Sequence, residues 1–239
     1  MHEFEDRNFR FHTEENNLCV YGVFDGFHGA HVADYIMKRL PAELVLGQIS
    51  MDTTDDQIKE QLKQAFVSID NEYFGSIGEK LAARMVMRSD GRHGDQNHCK
   101  LEEIEQFVSS GCSATIAVVI NNKIFVSNIG DCQAFLCYNT NDEDEDDIQV
   151  TNVSIDHTLD NEDERLRLHH LGYQLDNENN TGLGSNNYTR CFGNYLVKGG
   201  YKETPQLVSC RDEPVIADPE IQGPITVSDH LRLLVIATR

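Results

Sequence analysis

Asp25 is the residue from which chemistry is most readily read in this chain. It ends the apolar run Leu18 to Phe24 and is followed by Gly26, Phe27, His28 and Gly29. A run rich in β-branched and aromatic residues, with little polar alternation, reads as a strand covered on both faces. A carboxylate at the end of such a strand, beside a carbonyl that glycine leaves accessible, suits a hard metal ion. Asp-Gly is also common turn chemistry, so these residues alone leave both readings open. Other groupings carry less. His93, His98 and Cys99 are three ligand types without a fourth partner, a poor zinc set. Thr181-Gly182-Leu183-Gly184-Ser185 is too short a Gly-rich signal to argue phosphate binding.

The elements that must hold Asp25 in place are legible from periodicity. Glu3 to Phe11 reads as a short edge or connecting strand. From His31, the residues Val32, Ile36 and Leu40 lie on one helical face, and Pro41 should break or kink that helix before Gly47 stops it. Thr54 with Gln57 is a capping box, opening a helix from about Asp55 to Phe74 that buries Ile58, Leu62, Phe66 and Ile69. Residues 88–100 lack periodicity and read as a mobile insertion. Beyond Ser110 the chain turns to strands. Ser113 to Ile120 and Lys123 to Ile129 are joined by Asn121-Asn122, a pair suited to a primed turn. Gln133 to Tyr138 and Ile148 to Val153 form a second hairpin around the acidic run Asp142 to Asp147, read as a solvated loop tip. A helix follows from about Asn161 to Leu171, acidic at its start and closed by Gly172. Leu231 to Ala237 is another apolar strand, and the sequence ends just beyond it, as a fragment would. Two β layers with helices before and between them predict an α+β sandwich rather than a parallel Rossmann sheet.

Composition narrows the function classes. At 239 residues the chain is long enough to bury a large core as one domain. Forty acidic against twenty basic residues give a net charge of −20, with no local basic patch, which argues against nucleic-acid and anionic-membrane partners. The seven cysteines are odd in number, scattered and without a Cys-x-x-Cys pair. Several sit in apolar runs, as reduced core thiols do. No apolar run of spanning length and no signal peptide is present, so the expectation is a soluble protein of the reducing cytoplasm.

Five motifs in order resemble those of the metal-dependent protein phosphatases of type 2C: Glu5-Asp6; Val23-Phe24-Asp25-Gly26 with Gly29; Ser110-Gly111-Cys112-Ser113-Ala114; Asn128-Ile129-Gly130-Asp131; and Asp156-His157. The resemblance covers nearly the whole chain. It implies two packed antiparallel β-sheets flanked by helices, an α-β-β-α sandwich that is C-terminally incomplete here, as a single domain over 1–239. It also implies two Mg or Mn ions in a cleft at one end, which generate a hydroxide and clamp the phosphate, with an Arg binding phosphate and a His as general acid. By that resemblance Glu5, Asp25 and the carbonyl of Gly26 match metal ligands, Asp6 matches an outer acid and Asp131 a weaker outer-metal position.

The departures are as telling. The phosphate-binding Arg falls at Met1, the general acid at Phe27, and the next metal aspartate at Arg239, where a guanidinium repels a cation. His28 is one step from the acid position but should point elsewhere. The family's Gly-Asp appears as Gly193-Asn194, preceded by Arg190. Such a set leaves no catalytic residue, no required cofactor, and a vestigial site of Glu5, Asp25 and Gly26 for at most one residual Mg or Mn ion. Glu15-Asn16-Asn17, Ala42-Glu43-Leu44, Asn161-Glu162-Asp163-Glu164 and Pro214-Val215-Ile216-Ala217 further resemble catalytically dead, kinase-binding members of the family. That likeness implies an adaptor that binds and helps activate a protein kinase of the TGF-β-activated kinase type through a C-terminal tail outside this sequence. It also implies an inhibitor-of-apoptosis protein or a stress-activated MAP kinase as further partners. The alternative is an active Mg/Mn-dependent serine/threonine phosphatase.

Overall fold

The computed structural model describes residues 4–13, 17–45, 49–90, 95–141, 144–174, 182–184 and 186–238. Met1, Glu3, Glu15, Asn16, Gly47, His93, Asp142, Thr181, Ser185 and Arg239, named above, lie outside them. The fold is two antiparallel sheets packed face to face, with helices on the outside. The first sheet has strand order β1 (Arg7–Thr13), β2 (Leu18–Phe27), β3 (Gly111–Ile120), β4 (Lys123–Ile129), β8 (Glu220–Thr226), and the short β7 (Phe192–Gly193) also pairs with β3. The second is smaller, in the order β6 (Asp144–Asn152), β5 (Gln133–Asn141), β9 (Leu231–Ala237).

Burial follows position in this stack. The central strand β3 is buried at nine of its ten positions, because a layer covers each of its faces. β2 was expected to be covered on both faces, but it alternates instead. Leu18, Val20 and Phe24 are buried against the helices, while Cys19, Tyr21, Val23, Asp25 and Phe27 are half-buried on the face turned to the second sheet. That sheet has only three described strands, too few to close over all of β2. Ala117, Ile124 and Val126 of the first sheet meet Ala134 and Leu136 of the second in the inter-sheet core.

On the outer face of the first sheet lie α1 (His31–Val45) and α2 (Asp55–Ser76). Pro41 does not end α1: Ile36, Leu40 and Leu44 are buried on either side of it, and that packing outweighs one missing backbone donor. α2 starts as expected, with the Thr54 hydroxyl accepting from the Gln57 amide and the Gln57 side chain accepting from the Thr54 amide at 2.9 Å. Asn121 and Asn122 take φ of 50° and 59°, the double left-handed step of a primed turn.

Two segments differ from the sequence reading. Within residues 88–100 the described positions are helical, since α3 (Gly78–Asp90) ends and α4 (Asp95–Ser109) begins there. Tertiary contacts hold these helices where local periodicity is weak, chiefly Arg84 and Arg88 of α3 reaching Glu105 of α4. The acidic run is not all loop tip either. Asp144 to Asp147 belong to β6, because the β5–β6 ladder continues to Asn141 opposite Asp144. The helix α5 (Glu162–His170) has Asn161 as its N-cap and Leu171 as its C-cap, as expected. Among the described residues, no helix is long and apolar enough to cross a membrane.

Candidate functional site

The β1–β2 ladder sets Arg7 opposite Phe24. Continuing that register two residues back brings Asp6 opposite Asp25 and Glu5 opposite Gly26. Contact confirms it: a Cβ added to Gly26 would lie 2.7 Å from the Glu5 carbonyl oxygen. Glycine is needed here for this close backbone approach rather than for a turn, since Gly26 is still in the strand. The turn comes after Phe27, where His28 and Gly29 take φ of 59° and 126°. The sequence therefore gathers Glu5, Asp6, Asp25 and Gly26 at one end of the first sheet.

Asp131 arrives at the same end from the turn after β4 and is 7% exposed. Ser113, which pairs with Asp25 across the β2–β3 ladder, offers it a hydroxyl at 3.4 Å, and Tyr188 lies close enough to feel its charge. Burial, then the charges of Asp131 and Asp25, raise the Tyr188 phenol above its ordinary range, so it stays a proton donor. The Cys132 thiol lies 3.0 Å from the Ser113 hydroxyl, and burial pushes it up to about 12, which rules it out as a nucleophile at neutral pH. Asp6 accepts from the Thr238 hydroxyl at 3.0 Å, just past the end of β9.

Phe27 faces this cleft and packs on Tyr188, ring centroids 5.3 Å apart. Both rings lean on the apolar cluster formed by Leu168, Tyr173, Leu183 and Cys191. An aromatic hydrocarbon can neither give nor take a proton. His28 does not stand in for it, because its Nδ1 lies 3.2 Å from the Ser109 carbonyl, on the far side of the turn.

Below the cleft lies a second polar cluster. Glu164 is buried and accepts from Arg167 at 2.9 Å and Arg190 at 2.6 Å. Burial alone would raise its carboxyl, but the two guanidiniums outweigh that and hold it at about 2. Arg190 also donates to the Asp218 carbonyl and Arg167 to the carbonyls of Thr189 and Pro214. Both guanidiniums are thus committed to the framework, not presented to a phosphate. His157 is 1% exposed, with no hydrogen-bond partner at either ring nitrogen. Burial and the Arg190 charge lower it to about 4, so it is neutral at physiological pH. Asn194 is buried in a left-handed conformation.

Of the residues singled out from sequence, Glu5, Asp6, Asp25, Gly26, Phe27 and Asp131 come together. Arg190 and Asn194 do not join them at the cleft. Tyr188 was not anticipated. No motif announces it, and 57 residues separate it from Asp131. The donors do not fit a pair of divalent ions: Asp131 already accepts from the Ser113 hydroxyl and Asp6 from the Thr238 hydroxyl. Among the described residues, no group of three or more His, Cys, Asp or Glu side chains is gathered to hold a metal.

Comparison with known proteins bears on this geometry. The family model described as Protein phosphatase 2C matches residues 2–239. "Probable protein phosphatase 2C 3" of Paramecium tetraurelia is 26% identical over 207 residues, 86% of this chain and 58% of that protein. "TGF-beta-activated kinase 1 and MAP3K7-binding protein 1" of Caenorhabditis elegans is 26% identical over 208 residues, 86% of this chain and 50% of that protein. The chain therefore spans half to three-fifths of these relatives' lengths. Among solved structures, the serine-threonine phosphatase 2C of Toxoplasma gondii superposes with a TM-score of 0.63 at 14% identity, over 98% of this chain and 72% of that one. This last likeness speaks to the fold alone.

Proposed function

The chain belongs to the protein phosphatase 2C family, and we propose that it is a catalytically inactive member, an adaptor that binds and helps activate a mitogen-activated protein kinase kinase kinase in cytoplasmic stress or innate immune signalling. The observation that carries the inactive reading is Phe27 packed on Tyr188 where the family resemblance places a proton donor. A leaving alkoxide needs a proton within hydrogen-bond reach, and a phenyl ring has none to give. The shortage of free carboxylates supports the same reading, since two bare divalent ions need several to offset their charge. The kinase-binding part of the proposal is supported by the worm relative whose name records binding to TGF-β-activated kinase 1.

The second reading, an active Mg/Mn-dependent phosphatase, is favoured by Glu5, Asp25 and the Gly26 carbonyl standing side by side, and by the phosphatases among the relatives. One assay separates the two. Full-length protein is incubated with Mn and either a phosphothreonine peptide or an aryl phosphate. No turnover above an Asp25→Asn control is expected, together with co-purification of the kinase. Turnover that Asp25→Asn abolishes would establish the second reading instead.

A further inference from the structure

β1 is the outer strand of the first sheet. It pairs with β2 from Arg7 to Thr13 without a bulge, and no described strand lies on its other side. Such an edge leaves every second amide and carbonyl free to pair with another extended chain. Its two faces differ. On the helix side a groove of about 470 Å³ opens between β1 and α1, lined by Phe9, Phe11, Met37, Lys38, Pro41 and Ala42. Phe9 stacks on Phe24, ring centroids 5.9 Å apart, which fixes the groove floor, while Phe11 is left exposed. Met37 and Pro41 stand one helical turn apart on the same face of α1. Proline has no amide, so the Met37 carbonyl lacks its usual donor. On the other face of β1 the exposed Asn8, Arg10 and His12 alternate with the phenylalanines. There Arg10 lies over the Tyr21 ring, 5.9 Å from its centroid.

Charge decides what fits this edge. The chain carries a net charge of −20, yet this corner presents cations. Arg7 and Arg39 pair with Asp34 and Glu72, but among the described residues no carboxylate forms an ion pair with Arg10 or Lys38. A second copy of β1 laid on this edge would set cation against cation, which disfavours self-pairing. We propose that the β1 edge docks an extended segment of a partner protein in which apolar residues alternate with acidic ones. The partner's backbone adds a strand to the first sheet, and the period of two in β1 sets the period of two in the partner. Its apolar side chains enter the groove against Phe11 and Met37. Its carboxylates fall on the opposite face beside Arg10, and Lys38 at the groove rim adds to the attraction. The surface uses none of the cleft carboxylates, so it stands whether or not the chain turns over phosphate.

The test measures binding of short fluorescein-labelled peptides to full-length protein by anisotropy, with amide exchange as a second readout. One peptide alternates valine with glutamate and the other alternates valine with lysine. The valine–glutamate peptide should bind saturably and slow exchange of the β1 amides, and the valine–lysine peptide should bind at least about tenfold more weakly. Arg10→Glu, at an exposed position where folding is safe, should weaken the first peptide by about tenfold or more, and Arg10→Lys by about threefold or less. Met37→Glu, which sets a charge in the groove, should weaken it through the other face. Absence of saturable binding, equal binding of the two peptides, or binding that ignores both Arg10→Glu and Met37→Glu would overturn the proposal. So would a wild-type dimer in light scattering whose β1 amides are already protected, since the edge would then belong to a second copy.

Discussion

Two polar clusters lie within a few residues of each other in this fold, and they treat charge in opposite ways. At the cleft, Glu5, Asp6, Asp25 and Asp131 are gathered at one strand end, where Asp131 accepts from the Ser113 hydroxyl and Asp6 from the Thr238 hydroxyl. Below it, one carboxylate, Glu164, is buried between two guanidiniums that also donate to the backbone carbonyls of Thr189, Pro214 and Asp218. The first cluster has excess negative charge, half-buried at Glu5, Asp6 and Asp25 and buried at Asp131. The second sets one buried carboxylate between two guanidiniums, so loss of that carboxylate leaves two like charges facing each other. A family signature residue, Arg190, belongs to the second. What sets the second cluster apart is that two guanidiniums hold its carboxylate.

The sharpest way to break that contrast is to remove the buried partner. Glu164→Gln should destabilise the protein by about 3–5 kcal/mol, because Arg167 and Arg190 would repel each other with no anion between them. Urea unfolding measures it; a loss below about 1 kcal/mol would mean that the cluster is decorative. Next in size is an effect of pH. His157 is held neutral to about 4 in the folded chain, facing Arg190 and Arg167 on one side and Glu164 on the other, whereas its ordinary value is 6.5. The unfolded chain takes up the proton first, so stability is full above pH 6.5 and falls as pH drops towards 4, by about 3 kcal/mol. Glu164, held at about 2 against 4.5, adds a further loss of the same sign only below about pH 4.5. His157→Asn should flatten the upper window and leave the lower one in place, read from urea midpoints at about pH 7, 5.5, 4.5 and 3.

How much of this was legible in the sequence follows from the range of the interactions. Strands β3, β4 and β9 and helices α2 and α5 carry their own patterns and caps, and their bounds were read to within a few residues. Helices α3 and α4 and the strand β8 were not, because their positions depend on partners far along the chain, such as Arg84 with Glu203. At the cleft, Asp25, Gly26 and Phe27 were visible through ordered motifs. Tyr188 and the Glu164 cluster were invisible, since each joins residues that only the fold brings together, and none has a spacing that chemistry demands.

The cleft offers two smaller tests, and they should differ from the buried cluster in size and in sign. Gly26→Ala places a methyl 2.7 Å from the Glu5 carbonyl, so that backbone must shift, at a cost of about 1–3 kcal/mol. That is a steric penalty, independent of salt. Asp25→Asn is the smallest change and the more telling one. In an active metal site it would be a severe loss of function and of metal-linked stability. In a cleft crowded with like charges and compensated by hydroxyls, it removes repulsion from Asp131 and leaves the strand pairing with Ser113 intact. Stability should therefore stay level or rise by up to about 1 kcal/mol at low salt, and the gain should shrink at 1 M salt as the repulsion is screened. Measured with and without Mn²⁺, a gain that ignores the ion keeps the two clusters apart in kind. A loss that appears only with Mn²⁺ present would make the cleft a working cation site.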